Sequence, residues 1–198
     1  SDGARGDLGS FRNGGTGANS GHVRVYDYNG SAWAQVGADI DGEAAYDNFG
    51  IDTSLSSDGS RVAIGAYRNG SNDSGHVRIY QYNNNSWSQL GADINGEAAG
   101  DESGYSVSLS SDGSRLAIGG YLNDGNGSSS GHARIYDYNG SAWVQVGADI
   151  DGEAAGDYSG ASVSLSSDGS RVAIGANNND GGGTNFGHVR VYSISSGG

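Results

Sequence analysis

Hydrophobic and polar positions alternate in short bursts along this chain, and each burst is bounded by glycine, asparagine or aspartate. From Ser162 to Ser166 the order is polar, apolar, polar, apolar, polar, which places Val163 and Leu165 on one face of a strand. Asp168-Gly169 follows, a pair that supplies positive φ at little cost and so predicts a hairpin turn. Arg171 to Ala176 then runs back as a β-rich stretch, and beyond a Gly/Asn/Asp loop His188 to Tyr192 alternates again.

The same pattern recurs along the chain. His22, His76, His132 and His188 open the near-identical stretches GHVRVY, GHVRIY, GHARIY and GHVRVY, spaced by 54, 56 and 56 residues. A period of this size signals a propeller, a solenoid or an array. Between these stretches lies a fourth, Trp-bearing strand that ends in an acidic loop, starting at Ala32, Ser86 and Ala142. With the strands lettered A (SVSLS), B (RVAIGA), C (HVRVYDY) and D (WVQVGADI), the unit is a four-stranded meander of the length of a propeller blade.

The run GD-x-x-G-x-SVSLS-x-DG-x-x-VAIGA, a Gly/Asn loop, GHVRVY and a Trp strand together resemble the FG-GAP-type β-propeller repeats of integrin-α-like and secreted microbial proteins. The resemblance covers nearly the whole chain. SSDGSRVAIGA followed by HVRVYD is also similar to a WD40-like blade, the alternative; both are propellers. The resemblance implies an all-β, propeller-type array of four-stranded antiparallel blades with an extracellular binding role. Many FG-GAP repeats carry a D-x-D-x-D-G calcium loop between strands A and B. Here that turn reads Ser57-Asp58-Gly59, Ser111-Asp112-Gly113 and Ser167-Asp168-Gly169, and one Asp cannot supply the six to eight oxygens calcium takes.

Residues 1–198 are therefore read as one domain: blade 1 over 1–40 (partial), blade 2 over 51–94, blade 3 over 105–150 and blade 4 over 161–194 (partial). That is fourteen strands, about three and a half blades. Setting Asp2 against Asp168 puts Arg5-Gly6-Asp7-Leu8-Gly9 where RVAIG stands later, so strand B of the first blade is altered. Arg5, Gly6 and Asp7 also spell the short motif that integrins bind, which leaves two readings: an adhesion motif or a drifted strand start.

Composition narrows the function. A net charge of −13 without a single Lys argues against nucleic acid, whose phosphates need cations. No apolar run approaches a membrane span. Cys is absent, so disulfides and thiol catalysis are excluded. The acidic, Gly/Ser/Asn-rich composition suits a secreted or cell-surface protein, and a start at Ser1 points to processing or excision from something longer.

Meander topology puts the A–B and C–D turns at one end of every blade and the B–C and D–A loops at the other. The second end carries the long, variable loops and the acidic connectors. Those connectors hold Asp39, Asp41, Glu43 and Asp47, then Asp93, Glu97 and Asp101 (with Asn95), then Asp149, Asp151, Glu153 and Asp157. Spaced at i, i+2, i+4 and i+8, they could gather around calcium, or cap turns through Asx bonds. The histidines, one per blade and too far apart to meet, are read as packing residues. Arg24, Arg78, Arg134 and Arg190 are read as blade-to-blade partners of the tyrosines or acidic connectors. Trp33, Trp87 and Trp143 are read as covers for a neighbouring blade.

No catalytic constellation departs from the repeats, so the expectation is a protein that is not an enzyme. Asn29, Asn69, Asn72, Asn84, Asn126 and Asn139 each head an N-x-S sequon, a glycosylation acceptor in a eukaryotic secretory route. The leading expectation is an adhesion or recognition module that binds a protein or glycan through its B–C and D–A loop face. The alternative is a structural subunit that forms a homo-oligomer or filament through its incomplete end blades, and a propeller-fold glycan-active enzyme comes last.

Overall fold

A computed structural model describes residues 5–14, 16–69 and 72–195. Asp2, set against Asp168 above, lies outside them, as do Ser71 of the Asn69 sequon and the last three residues. Every regular element among the described residues is a β-strand. Blade 1 comprises β1 (Arg5–Ser10), β2 (His22–Tyr28), β3 (Trp33–Gln35) and β4 (Ile40–Asp41). Blade 2 comprises β5 (Thr53–Leu55), β6 (Arg61–Ala66), β7 (His76–Asn83), β8 (Ser86–Gln89) and β9 (Ile94–Asn95). Blade 3 comprises β10 (Ser106–Leu109), β11 (Arg115–Gly120), β12 (His132–Tyr138), β13 (Trp143–Gln145) and β14 (Ile150–Asp151). Blade 4 comprises β15 (Ser159–Leu165), β16 (Arg171–Ala176) and β17 (His188–Ser193). Within each sheet the strands pair antiparallel in the orders β1-β2-β3, β5-β6-β7-β8, β10-β11-β12-β13 and β15-β16-β17. The chain is an all-β, propeller-like array of blades.

The structure corrects the reading in one respect. Strand D, read as the single run WVQVGADI, is two short strands laid on one strand C: β3 and β4 both pair β2, β8 and β9 both pair β7, and β13 and β14 both pair β12. The break falls at Gly37, Gly91 and Gly147, whose φ values of 74°, 83° and 72° are left-handed. The three broken D strands account for the difference between the fourteen strands expected and the seventeen seen. The altered strand B of blade 1 is nevertheless a full strand: β1 pairs β2 over six residues, because pairing needs only the backbone.

The apolar core lies between blades. Val62, Ile64 and Ala66 of blade 2 pack with Val23, Ile40 and Phe49 from blade 1 and its connector. Val77, Ile79 and Ile94 of blade 2 pack with Val107, Leu116 and Ile118 of blade 3, and Ala133 and Ile135 of blade 3 with Val172 and Ile174 of blade 4. Polar latches repeat at each junction. The first arginine of strand B donates to the carbonyl of the next blade's Asp-Gly turn: Arg5 to Gly59 at 2.8 Å, Arg61 to Gly113 at 2.9 Å and Arg115 to Gly169 at 2.8 Å. At the outer rim, Trp87 Nε1 donates to Val36 O at 2.8 Å and Trp143 Nε1 to Leu90 O at 2.9 Å, so each indole covers the preceding blade. Near the inner strands, a Cβ at Gly65 or Gly119 would stand about 2 Å from the carbonyl oxygen of Gly104 or Gly160, so only glycine lets the backbones approach.

Candidate functional site

The loop end of the array carries four tyrosines that form a row across blades 2 to 4. Tyr67 opens the B–C loop of blade 2, and Tyr121 the equivalent loop of blade 3. Tyr105 and Tyr158 come from the connectors that enter blades 3 and 4. Ring centroids are 5.7 Å apart for Tyr67 and Tyr105, 4.3 Å for Tyr105 and Tyr121, and 5.9 Å for Tyr121 and Tyr158, edge-on or tilted throughout. All four are half-buried, leaving part of each ring open to solvent.

Two of the row's neighbours are charged. The Arg68 guanidinium lies over the Tyr67 ring at 5.3 Å and 4.0 Å from Glu102. Glu102, itself buried, accepts the Tyr121 hydroxyl hydrogen bond at 2.7 Å. Burial and then that carboxylate push the Tyr121 phenol above its ordinary range, so it stays a neutral donor. Glu102 and Tyr158 occupy one position of the connector, at φ 51° and 56°, where blade 1 has Asn48 at 54°. Asn is the ordinary choice in this left-handed conformation, and Glu and Tyr are the departures. The sequence reading passed over these tyrosines because they are far apart in the chain. Their signal was that Tyr105 and Tyr158 interrupt positions filled by Ile51, Ala161, Asn48 and Glu102 elsewhere.

The connector carboxylates do not gather as one group per connector. Asp47, Asp101 and Asp157 cap turns, accepting the amides of Ala44, Ala98 and Ala154 at 2.9, 2.9 and 3.0 Å. Asn123 and Asn179 reinforce two of those caps from the B–C loops. Asp41 and Asp151 sit in the short strands β4 and β14, opposite His22 and His132. Asp39 receives Arg24 through two nitrogens, at 3.0 and 2.8 Å, and Asp93 receives Arg78 likewise at 2.9 Å. Arg78 also pairs with Glu43 from the preceding connector. Hydrogen bonds from Arg24 and Gln35 hold Asp39 down at about 2, and the Arg78 bond lowers Asp93. Glu153 lies 3.6 Å from Arg190 and 3.7 Å from His188. Glu97 and Asp149 meet at His132. Each histidine thus faces carboxylates rather than other histidines, which a reading confined to His–His convergence missed.

The turns that replace the family's calcium loop do not fit that ion. Asp58 accepts from Ser56 Oγ, Ser60 N and Ser60 Oγ, and Asp112 and Asp168 repeat the arrangement, so each lone carboxylate closes its own turn.

The Arg5-Gly6-Asp7 triplet is not a loop. It opens β1, with Arg5 bound to both oxygens of Asp27 at 2.5 and 2.7 Å and to Gly59 O, the placement Arg115 has with Asp137 and Gly169 O. Of the sequon asparagines, Asn29, Asn72, Asn84, Asn126 and Asn139 are exposed and Asn69 is half-buried. Asn29 and Asn139 spend their amide oxygens on C–D turns, and Asn126 donates to Gly152 O and Glu153 O.

Successive antiparallel sheets latched strand to turn and indole to rim, with departures concentrated on the loops of one end, define a propeller-type repeat protein. Residues 95–136 match the family model of the FG-GAP repeat, so the chain is similar to that repeat from the end of blade 2 into β12. No curated protein matches its sequence. Among solved structures it is similar to a putative 6-phosphogluconolactonase from Bacteroides uniformis ATCC 8492, with a TM-score of 0.59 and 14% identity over 87% of this chain and 44% of that one. It is similar to one from Bacteroides fragilis NCTC 9343, with a TM-score of 0.59 and 12% identity over 87% and 44%. Kuenenia stuttgartiensis hydrazine synthase gives 0.53 and 13% over 89% and 41%. The chain spans less than half the length of these structures, and at such identities the likeness shows the fold alone. Among the described residues no helix is long and apolar enough to cross a membrane.

Proposed function

We propose that this protein is a non-enzymatic, extracellular recognition module that binds a glycan on its loop face. The observation that carries this reading is the row Tyr67–Tyr105–Tyr121–Tyr158. Part-exposed aromatic rings offer apolar faces to the CH faces of sugar rings, while Arg68, Glu102 and the phenol groups supply donors and acceptors for hydroxyls. Loops on a rigid scaffold are where repeat proteins place such sites. A glycan microarray probed with the full chain tests the reading. Binding to a defined set of glycans, abolished in Tyr105→Ala with the circular dichroism spectrum intact, is the expected result; no glycan signal, or signal indifferent to that change, sinks it.

A second reading, a self-assembling structural subunit, has its own support. The outer edge of β17 has no partner strand among the described residues, and Val189 and Val191 are about two-thirds exposed on its flank. Such an edge is a template for another strand.

A further inference from the structure

The junction of blades 2 and 3 holds a group of side chains that neither the latches nor the tyrosine row uses. Glu97 leaves blade 2 on the acidic connector; His132 opens β12 and Asp149 precedes β14, both in blade 3. One donor atom from each lies within 4.8 Å of the others. His132 is fully buried, and neither ring nitrogen has a hydrogen-bond partner. Its Nδ1 points into the group, 3.4 Å from an Asp149 oxygen and 3.9 Å from a Glu97 oxygen.

The equivalent groups are closed by arginine. In blade 2, Arg78 lies on Asp93 and Glu43 beside His76, and in blade 1 Arg24 lies on Asp39 beside His22. In blade 3 the guanidinium is turned away: Arg134 donates to Asn95 O at 2.9 Å and Ser103 Oγ at 3.1 Å, and only a 3.7 Å approach to Glu97 remains. Two carboxylates consequently meet at His132, with the arginine no nearer than that to Glu97. The blade 3 strand also ends in Gly120 where blades 2 and 4 have Ala66 and Ala176. A Cβ there would stand 2.9 Å from His132 Nε2, so the glycine makes room for the ring.

We propose that Glu97, His132 and Asp149 bind one divalent transition-metal ion of the zinc class at the junction of blades 2 and 3. An imidazole nitrogen with two carboxylate oxygens is a donor set for zinc-like ions, whose bonds of about 2.0–2.2 Å set donor atoms a little over 3 Å apart, near the 3.4 and 3.9 Å seen here. Calcium, which takes six to eight oxygens, does not match it. Gln145, donating to the second Asp149 oxygen at 2.6 Å, orients that carboxylate. Because the ligands come from two blades, the ion clamps the junction.

Cobalt(II), which reports its coordination by visible absorption, is the probe. Titrated into the full chain it should saturate at one ion per molecule, with a thermal midpoint that rises on loading. His132→Asn and Glu97→Gln should each weaken binding by more than about tenfold. His76→Asn, beside the arginine-closed group, should leave it unchanged. Glu97 is half exposed, so its variant stays folded and decides the matter if the buried histidine variant does not. No saturable binding, binding indifferent to Glu97→Gln and His132→Asn, or equal displacement of cobalt by calcium overturns the proposal.

Discussion

Arg78 shows how one side chain can serve both a blade and its neighbour. Its guanidinium is nearly buried and joins Asp93 of its own blade to Glu43 of the preceding connector. Arg78→Ala would leave two carboxylates facing a buried cavity. Breaking a buried pair costs about 3–5 kcal/mol, and the part-exposed carboxylates bring the expected loss down to about 2–3 kcal/mol. Chemical denaturation measures it; a change below half a unit would show that the pair is decorative. The carboxylates also set the response to acid. Hydrogen bonds from Arg24 and Ser166 hold Asp39 and Asp168 at about 2, and Asp27, Asp58, Asp93 and Asp112 are lowered too. A depressed folded-state pKa contributes stability above the unfolded value of 3.8 that is lost as pH falls through the folded value. Asp52 opposes this, because burial raises its pKa and its contribution is lost as pH rises. The lowered group outnumbers it, so the melting temperature should fall as pH drops from about 4 to about 2. A flat profile over that window would contradict the assignment.

Strand D is the element where sequence and structure part. The alternation WVQV continues into GADI without interruption, so the pattern reads as one strand; what breaks it is the left-handed glycine, and a glycine alone does not announce its φ. At Gly37 the φ of 74° is joined by contact, since a Cβ would meet Trp87 Cδ1 at 2.8 Å. Gly147 has the same conformation, φ 72°, and open space around it. Gly147→Ala should therefore cost only the conformational term, about 1–2 kcal/mol. Gly37→Ala should cost clearly more, because it also unseats the indole that latches blade 2 to Val36. Equal losses in thermal melts would mean that the Trp contact contributes nothing. The blades themselves were legible, because their strands carry the alternation and Asp-Gly turns that write a meander. The covers made by Trp87 and Trp143 were legible too, whereas Trp33, read as a third, stays exposed beside Tyr28 of its own blade. The tyrosine row and the His132 group were not: each draws residues from more than one blade, and a repeat read one unit at a time cannot show what the preceding connector delivers.

At the scale of the whole molecule, blades 2 and 3 have a neighbour on both faces, and among the described residues blades 1 and 4 have one on a single face. Trp87 and Trp143 are seated on the preceding rim, whereas Trp33 is more than half exposed. At the other end, a groove lined by Ile135, Val146, Gly147, Ile150 and Tyr192 lies open on blade 3, beside the edge of β17 that has no partner strand among the described residues. Val146 holds the rim position that Val36 and Leu90 hold where an indole docks on their carbonyls, and Gly147 matches Gly37 and Gly91, whose missing Cβ atoms face those indoles. The two exposed ends are thus different surfaces, so contact between chains through them would be heterologous, giving a ring if the rotation closes and a filament if it does not. Sedimentation over about a hundredfold range of concentration should show the mass rising above the monomer, since association follows mass action. Val191→Lys, which sets a charge on the flank of the free edge, should hold the mass at the monomer, as charges on edge strands do. A constant monomer mass in the unmodified chain would refute assembly through these ends.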